Sequence, residues 1–262
     1  MALVESHLEG GVCTVTLNDV ERRNALSRDL LVELVDVLDE ADASDDVRVV
    51  VLTNAGSVFC AGANLSEQSS GASGAGGERT IGMAEVFARF GRSPKPYVGK
   101  IAGHCVAGGM GLAAAMDIAI AVDTAKMGFT EVRIGVAPAM ISVLCLPKMR
   151  ASDARAAFLR GHRFLAPEAA RLGLINEAVP ADELDATVDA VVDDLLRGGP
   201  AALAASKRLL AEVPSMGLDE AFAWTQELSA ELFAGPEAAE GMAAYLEKRP
   251  APWIPTADTP EL

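Results

Sequence analysis

The sequence is poor in positive charge. Its 22 lysines and arginines stand against 37 aspartates and glutamates, which gives a formal net charge of −15. Such an acidic chain has no positive field with which to displace the cations that surround nucleic-acid phosphates, so we expect no nucleic-acid partner. The same charge would be repelled by an anionic membrane surface, so we expect no membrane partner either.

Cysteine and histidine are also scarce. The four cysteines form no CxxC pair, and the three histidines have no metal-ligand spacing with them, so we predict no metal site. The N-terminus lacks a basic segment followed by an apolar core, which predicts that the chain is not secreted. Unpaired thiols in such a chain suit a cytoplasmic protein.

Only residues 101–122 form an apolar run long enough to suggest a membrane helix. Three clustered glycines, strand-like spacing after Asp117 and the lack of a basic flank favour a buried strand, helix and strand instead. The run also matches the dinucleotide-binding pattern G-x-G-x-x-A from Gly109. The next strand begins too soon for the crossover helix of that fold, so we reject this interpretation.

The 262 residues are half apolar, enough for a substantial α/β core. Hydrophobic periodicity predicts a hairpin over residues 3–17, a helix from the cap Ser27 to about residue 43, and a buried strand over 47–53. It also predicts a loop at 66–77, a helix at 79–91, an extended piece around Glu131, an apolar helix at 139–149 and a helix capped by Ser152. Helices dominate the last third, and we expect them to pack on another subunit.

Two glycine-bearing segments, residues 59–65 and 107–112, each follow an extended apolar run, and Glu131 lies downstream. A helix beginning at Gly108 would present unpaired N–H groups carrying partial positive charge, which could stabilise an oxyanion. Close packing of a short helix against the sheet is the alternative explanation of these glycines.

Six segments, in order along nearly the whole chain, resemble the crotonase, or enoyl-CoA hydratase/isomerase, superfamily. They are residues 22–26 (RRNAL), 59–65 (FCAGANL), 103–112 (GHCVAGGMGL), 129–135 (FTEVRIG), 164–170 (FLAPEAA) and 240–249 (EGMAAYLEKR). The resemblance implies an α/β fold with a ββα spiral core over residues 1–198 and a helical trimerisation region over 199–262. It also implies a homotrimer or dimer of trimers that acts on an acyl-CoA thioester, with coenzyme A as part of the substrate and no separate cofactor.

The resemblance also implies roles for individual residues. The backbone N–H groups of Ala63 and Gly108 would hold the thioester oxygen, and Glu131 would be the general acid and base. The residues that match the family's coenzyme A contacts are Arg22, Arg23, Ala25, Ala61 and Leu65, together with Tyr245 and Lys248 from a neighbouring subunit.

One position departs from the pattern of two-glutamate hydratases, because Gly111 stands where the second carboxylate would be. Glu131 could then perform both proton transfers, or the substrate could bring its own carboxylate. The leading hypothesis is an enoyl-CoA hydratase acting on a 2-enoyl-CoA, close in pattern to bacterial methylglutaconyl-CoA-type hydratases. The alternatives are an enoyl-CoA isomerase with one base and a non-catalytic acyl-CoA-binding protein.

Overall fold

The first sheet begins with the predicted hairpin. In the computed structural model, which describes residues 2–69 and 81–255, β1 (Val4–Glu9) pairs antiparallel with β2 (Val12–Leu17). The turn between them consists of Gly10 and Gly11, both with positive φ, as a two-residue hairpin turn requires. Helix α1 (Arg28–Ala43) follows with its predicted cap, since the Ser27 hydroxyl accepts a hydrogen bond from the Leu30 N–H at 3.2 Å.

After α1 the chain alternates between two sheets. Each turn of the chain adds one strand to the first sheet and a shorter strand to the second, and then forms a helix. The elements are β3 (Val49–Asn54), β4 (Val58–Cys60), α2 (Leu65–Ser69), α3 (Met83–Arg92), β5 (Tyr97–Ile101), β6 (His104–Val106), α4 (Gly108–Ala115), β7 (Ile118–Val122) and β8 (Lys126–Gly128). This alternation is the ββα spiral that the resemblance implies.

The order of strands brings the two glycine-bearing segments together. The first sheet has the order β1-β2-β3-β5-β7-β10 and the second β4-β6-β8-β9, with β9 at Phe164–Leu165 and β10 at Glu177–Val179. Strands β4 and β6 are parallel neighbours, with Cys60 opposite Cys105. Because parallel strands end at the same edge of a sheet, the segments that follow Cys60 and Val106 leave side by side.

Several sequence-based expectations are wrong in detail. The piece around Glu131 is not extended: Glu131–Ile134 is a 3₁₀ helix that ends at Gly135, whose N–H bonds back to the Val132 carbonyl and whose φ is +82°. The N-cap of helix α6 (Ala151–Arg160) is Arg150, two residues before the expected Ser152, which lies inside the helix. The predicted helix at 139–149 is α5 (Ala139–Cys145) followed by a 3₁₀ turn, Leu146–Lys148, that contains a proline. Of the loop predicted at 66–77, residues 66–69 belong to α2, and residues 70–77 lie outside the described part.

The C-terminal third is helical, as predicted. Its helices are α7 (Ala166–Arg171), α8 (Leu184–Arg197), α9 (Pro200–Glu212), α10 (Leu218–Ala234) and α11 (Pro236–Glu247). Lys207 of α9 joins this region to the core: its side chain is 8% exposed, and its ammonium donates to the carbonyls of Phe90 and Lys95 and to the Asp117 carboxylate. Within the described residues, no helix is long and apolar enough to cross a membrane.

Candidate active site

A pocket of about 970 Å³ opens where the second sheet meets α4, α5 and the 3₁₀ helix at Glu131. The predicted site residues that line it are Arg23, Ala61, Ala63, Leu65, Gly108 and Glu131. The fold therefore gathers, in one concavity, residues that come from four separate segments of the chain. Arg22, Ala25, Tyr245 and Lys248 are not among the described residues that line it.

The two glycine-bearing segments touch each other at Gly62 and Gly108. A β-carbon placed on Gly62 would lie 2.8 Å from the Ala107 β-carbon and 2.9 Å from the Gly108 nitrogen. One placed on Gly108 would lie 3.2 Å from the Gly62 α-carbon and 3.4 Å from the Ala63 nitrogen. Only glycine allows the main chains to approach so closely, and Gly62 also has φ +91°. The contact brings the Ala63 and Gly108 amides near one another.

The direction of both amides follows from peptide planarity. In a trans peptide the C=O and the following N–H point to opposite sides. The Gly62 carbonyl accepts a hydrogen bond from the Leu26 N–H at 2.7 Å, so the Ala63 N–H points away from Leu26. The Ala107 carbonyl accepts from the Met110 N–H inside the first turn of α4, so the Gly108 N–H points out of the helix. Within the described chain, neither amide donates a hydrogen bond to a protein acceptor.

Ala107 holds an uncommon backbone conformation just before these amides. Its φ of +51° and ψ of −124° lie outside the regions open to most L-residues, at a cost of about 1–3 kcal/mol. The Ala107 N–H donates to the Gly128 carbonyl at 2.9 Å, which ties this turn to β8. Close packing, the alternative explanation of the glycines, also applies at Gly109, where a β-carbon would lie 2.5 Å from the Cys60 carbonyl oxygen.

Glu131 supplies the one acidic side chain among the described residues that line the pocket. Its carboxyl is half-buried, and burial raises its pKa above the ordinary 4.5, although its own N–H partly opposes the shift. The Glu131 Oε2 atom is buried, with no hydrogen-bond partner in the described structure. A carboxyl of this kind can take up and return a proton nearer neutral pH than an exposed one.

Apolar side chains occupy the space beside Gly111. A β-carbon at this position would lie 2.5 Å from the Ile141 Cγ2 atom and 2.8 Å from the Phe87 Cζ atom. Phe87 and Ile141 are themselves buried, and Gly111 is buried in α4. A longer side chain therefore has no room at position 111 unless Phe87 and Ile141 or their helices move.

Only some of the residues predicted to contact coenzyme A line the pocket. Arg23 lines the pocket, whereas the Arg22 guanidinium lies 3.5 Å from the buried Asp19 carboxylate outside it. Tyr245 is 84% exposed on α11, and Lys248 caps that helix in a left-handed conformation. Neither reaches the pocket of its own chain, so the structure leaves their predicted contact with coenzyme A untested.

Sequence reasoning did not find the pocket residues Met83, Met140 and Ile141. Their motifs are plain apolar helix, and only the sheet topology shows that these helices converge on one pocket. Cys60 and Cys105 are buried, and burial raises the pKa of the Cys60 thiol to about 12, as expected of a thiol that packs in the core and is not a nucleophile.

Comparison with known proteins identifies the family. The family model described as enoyl-CoA hydratase/isomerase matches residues 7–255, so the chain belongs to this family. A Thermus thermophilus protein whose enoyl-CoA hydratase function is itself inferred is 35% identical over 245 residues, covering 92% of this chain and 97% of that protein. The short-chain-enoyl-CoA hydratase of Clostridium acetobutylicum is 31% identical over 92% of this chain and 93% of its own.

Solved structures agree. AtuE of Pseudomonas aeruginosa superposes with a TM-score of 0.89 at 32% identity, over 96% of this chain and 99% of that one. An enoyl-CoA hydratase of Mycobacterium smegmatis gives a TM-score of 0.86 at 28% identity, over 96% and 98%. These matches confirm the predicted crotonase fold and enoyl-CoA hydratase class.

Proposed function

We propose that this protein adds water across the double bond of a 2-enoyl-CoA, with one glutamate performing both proton transfers. The observation that carries the proposal is the placement of a half-buried, partly unpaired carboxyl, Glu131, in the same pocket as two free backbone N–H groups, those of Ala63 and Gly108. An acyl-CoA thioester needs both features, since negative charge develops on its oxygen while protons move at its α and β carbons.

The Ala63 and Gly108 amides would hold the thioester oxygen. As the water oxygen bonds to Cβ, the electrons of the carbon–carbon double bond move towards the thioester and form an enolate. The two N–H dipoles and the N-terminus of α4 stabilise the negative charge on this oxygen. The loss of one such donor typically costs about 3 kcal/mol of transition-state stabilisation.

Glu131 would carry a proton from the attacking water to Cα. In its ionised form it takes a proton from the attacking water, and in its protonated form it then gives a proton to Cα of the enolate. The carboxyl returns to its starting state, so one group completes the cycle. The raised pKa of Glu131 supports this double role, because the carboxyl is a better base than an exposed glutamate once it is ionised.

The remaining expectations belong to the same proposal. Arg23, Ala61 and Leu65 would contact the coenzyme A portion of the substrate, beside Arg22 and Ala25 in the neighbouring loop, and no further cofactor would be needed. Large apolar side chains on α10 and α11 are exposed, among them Phe222, Phe233 and Tyr245. This exposure supports a trimer in which a neighbour's Tyr245 and Lys248 approach the coenzyme A. The unpaired, buried cysteines suit a cytoplasmic location.

Turnover of a thioester panel tests the proposal. Crotonyl-CoA, 3-methylglutaconyl-CoA and a 3-enoyl-CoA are incubated with the wild type and with Glu131→Gln, and water addition and double-bond migration are followed by mass and absorbance. We expect hydration of a 2-enoyl-CoA and a loss of about 10²–10⁴-fold in Glu131→Gln. Glu177→Gln serves as the control, because Glu177 is exposed on β10 and the change removes one negative charge, as Glu131→Gln does. Undiminished hydration by Glu131→Gln, or binding without any turnover by the wild type, contradicts the proposal.

A further inference from the structure

One wall of the pocket is made of hydrocarbon. Its side chains come from Met83 at the start of α3 and from residues 136–141 (VAPAMI), which include the first turn of α5. Helices α3 and α5 both pack on α4, the helix that begins at Gly108. The wall therefore lies on the α4 side of the two free amides, and its side chains offer no hydrogen-bond donor.

The cationic side chains described in the pocket belong to other segments. Arg23 is in the loop before α1, and Arg163 follows α6. Arg133 is in the 3₁₀ helix, and its guanidinium is already bonded to the Gly161 carbonyl at 2.6 Å and directed to the Arg160 carbonyl at 3.4 Å. None of these three lies on α3 or α5.

The hydrocarbon wall is backed by a tightly packed contact. Ile141 lines the pocket, and it also packs with Phe87 in the space next to Gly111. Position 111, which carries the second carboxylate in two-glutamate hydratases, is therefore surrounded by apolar side chains that leave no free space beside it. A charged group placed against the wall would lose water and gain no side-chain partner from it.

On the basis of the proposed hydratase function, we infer that the acyl group of the substrate is an uncharged hydrocarbon chain, and that the wall formed by Met83 and residues 136–141 selects it. The sequence leaves open whether Glu131 performs both proton transfers or the substrate brings its own carboxylate. A carboxylate brought by the substrate does not replace the missing protein carboxylate, and Glu131 works alone.

Two pairs of thioesters matched in carbon number test the inference. The first pair, 2-pentenoyl-CoA and glutaconyl-CoA, differs in a terminal carboxylate, and we expect kcat/KM for hydration to be at least about tenfold higher for the uncharged member. The second pair, valeryl-CoA and glutaryl-CoA, cannot be hydrated, and calorimetry should show tighter binding of valeryl-CoA by a similar factor. Equal or better use of the carboxylated member in the two pairs overturns the inference.

The two pairs separate this inference from the hydratase proposal. If neither enoyl-CoA is hydrated while valeryl-CoA binds more tightly than glutaryl-CoA, the preference for an uncharged acyl group stands and the hydratase proposal fails. If both enoyl-CoAs are hydrated equally well, the hydratase proposal stands and the inference fails.

A cation placed on the wall provides a further test. Met140 lines the pocket and is 44% exposed, so Met140→Arg can keep its guanidinium solvated when no substrate is bound. We expect this variant to lower the ratio of kcat/KM for 2-pentenoyl-CoA to that for glutaconyl-CoA by about tenfold. The uncharged polar variant Met140→Gln should lower this ratio by less than about threefold. An equal decrease with the two variants would show that the charge of the wall does not set specificity, and would overturn the inference.

Discussion

The contact between Gly62 and Gly108 is open to a direct test with one added methyl group, Gly62→Ala. The new β-carbon would start 2.8 Å from the Ala107 β-carbon and 2.9 Å from the Gly108 nitrogen. Both neighbours are main-chain or directly attached atoms, so they cannot rotate away. To restore an ordinary contact of at least 3.4 Å, the two segments must separate by about 0.5 Å or more.

This separation moves the Ala63 and Gly108 amides apart. An oxyanion held by two donors at hydrogen-bond distance would then lose most of one of them, so we expect kcat to fall by about 10²–10³-fold. KM for the 2-enoyl-CoA should change much less, because the oxygen gains its full charge only in the transition state. The variant should also be less stable by about 1–2 kcal/mol, since alanine is disfavoured at φ +91°.

Gly10→Ala is the matched control. Gly10 also has positive φ, at +56°, but nothing lies within 4 Å of a β-carbon placed there, and Gly10 does not line the pocket. The control should lose stability and keep its kcat. The assay is steady-state hydration of crotonyl-CoA, with thermal unfolding of each variant. A Gly62→Ala enzyme whose kcat stays within threefold of the wild type would refute the reasoning about the two amides.

Three further predictions concern single groups. The acidic limb of the pH profile of kcat/KM should have an apparent pKa above 4.5, because in the proposed mechanism ionised Glu131 takes the proton from water, and burial raises its pKa; a limb at or below 4.5 would contradict the proposed role. Gly111→Ala should lower the free energy of unfolding, measured in urea, by about 1–2 kcal/mol. In an Ile141→Ala background the same change should cost less, because the nearest methyl group is gone. Additive effects of the two changes would argue against the contact. Lys207→Met should cost about 3 kcal/mol in the same measurement, because it removes the cation that pairs with the Asp117 carboxylate and the donor to two carbonyls, and a loss under 1 kcal/mol would count against this anchoring role of Lys207.

Local patterns in the sequence predict much of the frame of the site. Alternation and glycine turns locate the first hairpin, and the spacing of leucines locates α1. The start of α4 at Gly108 is predicted for a physical reason, because glycine permits close approach where a strand turns into a helix. These features depend on a few neighbouring residues, so the sequence carries them directly.

The features that depend on long-range packing are not predictable in the same way. Strands β4, β6 and β8 have three residues each, too few to show a period, and they are recognised only once they pair. The 3₁₀ helix at Glu131 is likewise set by its tertiary surroundings. The apolar filling beside Gly111 comes from α3 and α5, which the chain brings together from opposite sides of that glycine, so inspection of position 111 alone suggests only a missing carboxylate.

Burial, and not a second carboxyl, raises the pKa of Glu131. When two carboxyls share a site, repulsion between like charges raises the pKa of one of them. In this pocket Gly111 contributes no charge, and the space beside it is filled by Phe87 and Ile141. The loss of water around Glu131 is the dominant cause of its raised pKa, and Glu131 in turn helps to raise the pKa of the buried Cys145 thiol on α5. The packing at Gly111 thus leaves no space for a second carboxyl there, and Ile141 of that packing lines the same pocket as Glu131. A single carboxyl in such surroundings has the basicity to accept the proton of water, and its burial favours the protonated state from which it returns that proton to carbon.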